Sequence, residues 1–294
     1  YVVVGLAAGA TDGKIAAYLW SDGMLHAAWS KHVDDHVCAL TTVSGYLAAA
    51  IGHEVHTYAM EPNALTFRRP WDCAFVSSCL ASKGSTLVVG DAMHSLTVLT
   101  VAEDGSLSES ARDLHPYWTS AVCVLDTEQQ QYLGTDVAMN LFVAERAKGT
   151  EPESPWSHVM RHAAACHFGD LVNAMHTLPG GGVMYATASG ALGTLVRVPE
   201  PMACVLLCLQ DAMIEAIPAP GDIPWESWRT SRTDTRTEPP HHILDADVLR
   251  IFVSDPSVRP PCLEKARSLA QARDIPLAEM AEERMLHMLH ALLS

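Results

Sequence analysis

Five times along the chain a short apolar run ends at or near a glycine, breaks for a few small or polar residues, and resumes as a second apolar run. The units are Tyr1–Trp20, Tyr46–Met60, Thr86–Val101, Gln131–Glu145 and Val183–Val198, punctuated at Gly5, Gly52, Gly90, Gly134 and Ser189-Gly190. Successive units lie about 40 to 55 residues apart, the length of one four-stranded propeller blade. A chain punctuated in this way is built as an array of like units.

The residues inside each unit favour strands over helices. Thr86–Val101 is dense in β-branched residues, and its second half alternates Leu96, Val98 and Thr100 against Thr97, Leu99 and Val101. Each apolar run lasts only four to six residues and is followed by no long 3.6-residue stripe, so the pattern predicts a hairpin turning at Gly90-Asp91. Between units, Asp12-Gly13, Asp22-Gly23 and Asp104-Gly105 are expected to supply the left-handed conformations that tight turns need. A sandwich of the same strands is the rival arrangement, and the regular spacing favours the propeller. The chain opens in the middle of an apolar strand at Tyr1, without initiator methionine or leader, and so reads as a piece of a longer protein whose first strand had a predecessor.

Beyond Val198 the pattern changes, which divides the chain into 1-199, the later blades of a propeller, and 200-294, a helical domain. Pro201–Ile217 carries Val205, Leu206, Leu209, Met213 and Ile217 at helical spacing, and Pro218, Pro220 and Pro224 end it. Trp225–Pro240 reads as an extended connector with aromatic anchors at Trp225 and Trp228. Asp245 is placed to cap a helix through Val248, Leu249 and Phe252, broken by Pro256, Pro260 and Pro261. Helices over 262–273 and 277–293 follow, the second offering a methionine-rich stripe for burial.

Composition excludes several functions. With 34 acidic against 19 basic residues in 294, the net charge is −15. A protein that grips nucleic acid through its phosphates presents clustered cations, so direct contact by this segment is not expected outside a local patch such as Arg229, Arg232 and Arg236. Eight scattered cysteines without a CxxC pair read as reduced core residues rather than a disulfide framework. No run of about 20 apolar residues offers a membrane span. No GxSxG elbow, P-loop, GxGxxG or HExxH motif occurs, so the expectation is a non-catalytic protein without a cofactor. His158, His162 and Cys166 stand at i, i+4 and i+8 and would share a face of a short helix. The outer two are then about 12 Å apart. With no evident fourth ligand, no metal is expected there.

Collinear stretches carry a resemblance. At Gly90-Asp-Ala-Met-His-Ser95, Ala111-Arg-Asp-Leu-His-Pro-Tyr-Trp118, Ser120–Asp126, Tyr132-Leu-Gly134, Asn140-Leu-Phe-Val143, Phe168–Asn173, Arg232–Pro239 and Ile243–Leu249 the sequence resembles the large subunits of UV-damaged DNA-binding complexes. That family comprises the adaptors of cullin-4 RING ubiquitin ligases, within the cleavage and polyadenylation specificity factor A-subunit superfamily. The likeness covers nearly the whole chain. It implies a partial, open WD40-like β-propeller of about four to five blades, the later part of a third propeller, followed by the C-terminal α-helical domain. Since a family propeller has seven blades, an arc with an exposed edge strand near Tyr1 is expected.

In the family, the third propeller forms one wall of a cleft that receives a segment of substrate-receptor proteins. The positions matching that wall are Phe75, Ser78, Cys79, Ala92, His94, Trp118, Leu171, Asn173 and Ala174. Trp118 would anchor an apolar side chain and Asn173 would hydrogen-bond a peptide backbone, although Trp118 reads equally well as an inter-blade core residue. The chain departs from the family at Ser78 and Cys79, where bulky apolar or aromatic residues are usual, and at His94, where an arginine is usual. The resemblance thus implies a nuclear adaptor in DNA damage repair and protein ubiquitination. Its partners would be substrate receptors of cullin-4 ligases and the remaining propellers of the same longer chain, with no membrane. The alternative is a scaffold in an mRNA 3'-end processing or splicing complex that binds nucleic acid. An enzyme or metal protein built on the propeller is a third reading.

Overall fold

The computed structural model describes residues 1–7, 12–62, 64–146 and 158–293. Two compact units are present: Tyr1–Leu195 with Ser231–Thr237, and Val196–Thr230 with Glu238–Ser294.

The first unit is a propeller-like array of five antiparallel blades. Blade 1 holds β1 (Val2–Ala7), β2 (Gly13–Ser21) and β3 (Met24–Val33); blade 2 holds β4 (Val37–Val43), β5 (Tyr46–Ile51), β6 (Glu54–Glu61) and β7 (Ala64–Asp72). Blade 3 comprises β8 (Ser77–Lys83), β9 (Thr86–Asp91), β10 (Leu96–Val101) and β11 (Leu107–Arg112). Blade 4 comprises β12 (Thr119–Asp126), β13 (Gln131–Asp136), β14 (Asn140–Arg146) and β15 (Met160–His167). Blade 5 is β16 (Val172–Thr177), β17 (Val183–Thr187) and β18 (Leu192–Leu195). The five hairpin units of the sequence are the pairs β1/β2, β5/β6, β9/β10, β13/β14 and β17/β18.

These strands read as continuous apolar runs because their blades are covered on both faces. Ala48, Ala49 and Ala50 of β5 and Leu87 and Val88 of β9 all have 0% exposure. Their cores are slices between neighbours: Val88, Leu96 and Val98 of blade 3 pack with Val122, Val124 and Phe142 of blade 4. At the two ends of the array this cover is missing. Tyr1, Trp20, Met24 and Leu25 of blade 1 and Leu192 of blade 5 are all exposed. The array is a partial propeller whose first strands, β1, β4, β8, β12 and β16, run side by side in that order.

Several local expectations are corrected. Gly90 and Asp91 belong to β9, and the chain turns two residues later, because Asp91 accepts the Met93 and His94 N–H groups at 2.8 and 3.1 Å. Gly13 opens β2 rather than making a left-handed turn, and a Cβ there would strike the Asp35 carbonyl oxygen. Asp22-Gly23 does form the expected turn, at φ 51° and 76°. In place of the helix expected around His158, His162 and Cys166 stands the outer strand β15, with His162 opposite Ala144 and Cys166 opposite Leu141, while His158 lies two residues ahead of it. Pairing with β14 overrides a 3.6-residue pattern padded by alanines. All eight cysteines are free thiols.

The second unit contains α1 (Glu200–Ala216), α2 (Trp225–Arg229), α3 (Ala246–Ser254), α4 (Arg259–Ala272) and α5 (Glu282–Leu293). Its core joins Leu206, Leu209 and Met213 of α1 to Phe252, Ala266, Met280, Met285 and Leu289. The methionine stripe is therefore packing. Asp245 caps α3 by accepting the Asp247 N–H at 3.0 Å. Pro260 and Pro261 lie inside the first turn of α4, where no N–H is needed, rather than breaking a helix. The expected extended connector instead holds α2, then two short strands, β19 (Ser231–Arg232) and β20 (Thr237–Glu238). Trp225 anchors by donating its indole N–H to Asp245, whereas Trp228 is exposed. Among the described residues no helix is long and apolar enough to cross a membrane.

Candidate functional site

One end of the array is built by a repeated local device. In blades 2 to 5 the residue just ahead of the first strand, His36, Val76, Trp118 or Leu171, offers its carbonyl to the residue just beyond the second strand. The donors are Gly52, Ala92, Val137 and Ala188, at 3.1, 2.9, 2.9 and 2.8 Å. Two residues later each first strand carries a bulge, at Cys38, Ser78, Ser120 and Asn173. A bulge re-aims its side chain and is common at sheet edges and barrel rims. The inter-blade loops and the loops between second and third strands therefore gather on a single face.

Trp118 stands on that face with 57% of its surface exposed, which removes it from the inter-blade core. Tyr117 takes the core position instead, 3% exposed and 5.1 Å from the Phe142 ring. His94 is exposed beside Trp118, because Ser95 donates its N–H to the Tyr117 carbonyl at 3.0 Å and its own carbonyl accepts the Thr119 hydroxyl at 2.8 Å. Phe75, 50% exposed, donates its N–H to Asp91 at 2.8 Å. Ser78 donates its hydroxyl to the Thr119 carbonyl at 2.7 Å, with the Gly90 carbonyl also within 3.1 Å of its Oγ, so it bridges blades 3 and 4. Its neighbour Cys79 places sulfur against Gly90, where a Cβ would collide with it. Burial pushes that thiol up to about 12, so it is a filler and no nucleophile at neutral pH. Ala92 is buried and contributes its backbone.

These six residues form one neighbourhood around Asp91 and Thr119. Leu171, Asn173 and Ala174 occupy corresponding positions in blade 5, whose strand β16 runs beside β12. Leu171 is half-buried, while Asn173 and Ala174 are exposed. The sequence reading missed Met93, Leu114, Val137 and Met139, all exposed apolar residues in the loops on the same face. Their signal was large apolar residues inside turn segments, where polar ones are the rule.

A second cluster was also missed. Asp113, fully buried, accepts from Ser95 Oγ at 2.7 Å and lies 2.5 Å from His115 Nδ1 and 2.9 Å from His162 Nε2. Burial drives the Asp113 carboxyl upward, but hydrogen bonds from His115 and His162 outweigh it and hold the group well below the ordinary carboxylate range. The carboxylate that His162 meets thus lies 49 residues upstream.

Asn140 explains another sequence motif. Its side chain donates to Asp136 at 2.9 Å and to the Arg232 carbonyl at 3.0 Å, and accepts the Arg232 N–H at 3.2 Å. The Arg232–Pro239 stretch of the resemblance therefore begins as a strand pinned to blade 4. The face as a whole presents aromatic and aliphatic side chains on backbone-locked loops, which suits docking of a protein segment.

The comparisons with known proteins agree with this architecture. Residues 6–254 match the family described as CPSF A subunit region. The chain is 28% identical to DNA damage-binding protein 1a of Arabidopsis thaliana over 262 residues, covering 83% of this chain and 24% of that protein. It is 27% identical over 279 residues to DNA damage-binding protein 1 of Solanum lycopersicum, 88% of this chain and 25% of that one. With DNA damage-binding protein 1 of Oryza sativa subsp. japonica the identity is 25% over 290 residues, 92% of this chain and 26% of the relative. The chain spans about a quarter of the length of these curated relatives. A propeller-like array matched along most of its length, through the strand pinned to blade 4, places this chain in the CPSF A subunit region family.

Proposed function

We propose that this chain supplies a receptor-docking wall to a non-catalytic adaptor of a cullin-4 ubiquitin ligase that works in the nucleus on DNA damage. The observation that carries the reading is Trp118, an exposed aromatic whose carbonyl accepts the Val137 N–H, on a face that also exposes Phe75, Met93, Val137 and Met139, in a chain similar to DNA damage-binding proteins. Exposed apolar groups held by backbone hydrogen bonds lose little entropy when a partner covers them, so they make strong anchors. Phe75, Ser78, Cys79, Ala92 and His94 complete the neighbourhood, and Leu171, Asn173 and Ala174 extend it onto blade 5. Backbone groups at the Ser78 and Asn173 bulges suit an extended or helical segment of the receptor. His94 replaces a permanent positive charge with a titratable ring, which alters the set of receptors recognised. The RNA-processing scaffold draws no support from the relatives named above, whose names concern DNA damage.

Two measurements test this. Affinity capture of the full-length protein from nuclear extract should retain cullin-4, and its absence would sink the ligase reading. In the same full-length protein, Trp118→Ala should weaken a receptor peptide by about 2 kcal/mol or more, with an unchanged thermal melt. His94→Arg should strengthen receptors that present a carboxylate at this position. Equal affinity of wild type and a folded Trp118→Ala variant would remove this face from the function.

A further inference from the structure

We propose that Asp113, His115 and His162 bind one divalent transition-metal ion, with zinc the best match, and that this ion ties blade 3 to blade 4. The proposal is independent of receptor docking and stands on the geometry of three side chains.

Each residue offers one ligand atom, and the three atoms all lie within 4.8 Å of one another. In a tetrahedral zinc site with bonds of about 2.0–2.1 Å, neighbouring ligand atoms are about 3.3 Å apart. The contacts of 2.5 Å from Asp113 Oδ1 to His115 Nδ1 and 2.9 Å from Asp113 Oδ2 to His162 Nε2 are somewhat shorter than that, so side-chain rotations that spread them and turn the carboxylate towards both rings would open a seat. Two imidazoles and one carboxylate are also the right chemistry. Nitrogen and carboxylate oxygen suit zinc and its neighbours, whereas magnesium and calcium want oxygen throughout.

The surroundings resemble a supported site. Ser95 Oγ donates to Asp113 at 2.7 Å and orients the carboxylate, the role an outer partner plays around a metal. The His162 ring stacks on Phe142 at 4.8 Å, and the two imidazoles lie 4.0 Å apart. Rings packed this closely around a buried carboxylate strengthen its attraction for a cation. Access is provided on one side: Asp113 and His162 side chains are 0% and 2% exposed, but His115 is 21% exposed. A fourth position can thus be taken by water. Asp113 and His115 lie in the loop joining β11 to β12 and His162 lies in β15, so an ion would bind two blades at once. Metal binding here requires neutral imidazoles and an ionised carboxylate, and so releases any protons they carry.

The test uses the full-length protein stripped with chelator, dialysed, and titrated with cobalt(II) alone while visible absorption is recorded. One equivalent should produce the intense bands of a tetrahedral nitrogen and oxygen site, and zinc should bleach them stoichiometrically. Loss of an outer partner alone lowers metal affinity about 10–100-fold, so His115→Asn, which removes a ligand at the accessible side, should lower it by about 100-fold or more. Zinc should also raise the wild-type melting temperature and leave that of His115→Asn unchanged. His162→Asn is the second variant, and if it fails to fold, His115→Asn still decides. His53→Ala, an exposed histidine outside the cluster, should bind as wild type. Absence of saturable cobalt uptake by the wild type would overturn the proposal. So would equal uptake by folded His115→Asn.

Discussion

Phe142→Ala is expected to destabilise the propeller unit by about 3–5 kcal/mol, the range for emptying a buried aromatic site. The ring is 1% exposed and sits in the slice between blades 3 and 4 with Val88, Val98, Val122 and Val124. It meets Tyr117 at 5.1 Å and His162 at 4.8 Å, and it fills the space that Gly134 leaves: a Cβ on Gly134 would overlap the ring. Neighbouring blades bury their apolar faces against each other in a close-packed slice, so little can collapse into the hole. Urea unfolding followed by intrinsic fluorescence measures the loss. A decrease below about 1 kcal/mol would mean that the slice is not packed as described.

A comparable effect is expected in the helical unit from Asp245→Ala, about 3 kcal/mol. Asp245 accepts from Arg229 Nε at 2.8 Å and Trp225 Nε1 at 2.9 Å while capping α3, and its side chain is 6% exposed. Removing it loses the cap, worth about 1 kcal/mol, and takes from the Arg229 guanidinium, only 25% exposed, the buried carboxylate it meets at 2.8 Å. Burial raises the Asp245 carboxyl, but hydrogen bonds from Arg229 and Trp225 outweigh it, so the folded-state value is depressed. The sign follows directly. The contribution is fully present above the unfolded value of about 4 and is lost as pH falls through that region towards the depressed folded value. Asp245→Asn keeps the cap but should flatten the acid limb of the urea midpoint between about pH 5 and pH 3. An acid limb identical to wild type would separate Asp245 from the acid sensitivity of this unit.

Both predictions lie in places where sequence and structure met differently. The five hairpins were legible because β-branched runs of four to six residues broken by glycine leave strands as the only economical reading, and because middle strands covered on both faces show as unbroken apolar runs. Asp245 was legible as a cap for the same local reason. Turn positions were less so: Gly90 is required by the sulfur of Cys79 in the neighbouring strand, not by a turn, and its own segment holds no trace of that contact.

Contacts between distant segments were beyond any local pattern. Trp118 and Tyr117 are adjacent aromatics of similar character, and only the stacking of blade 3 on blade 4 sends one inward and leaves the other 57% exposed. His162, read as part of a helix face, became a strand residue because β14 supplies hydrogen-bonding partners that a helix there would forfeit. Its carboxylate partner, Asp113, lies in the loop between blades 3 and 4. Strand identity and repeat number depend on chemistry within a few residues of each position, so they are written along the chain. The docking face and the Asp113, His115 and His162 cluster depend on which loops the blade stacking brings to one end, and that is decided only when long-range pairing closes the sheets.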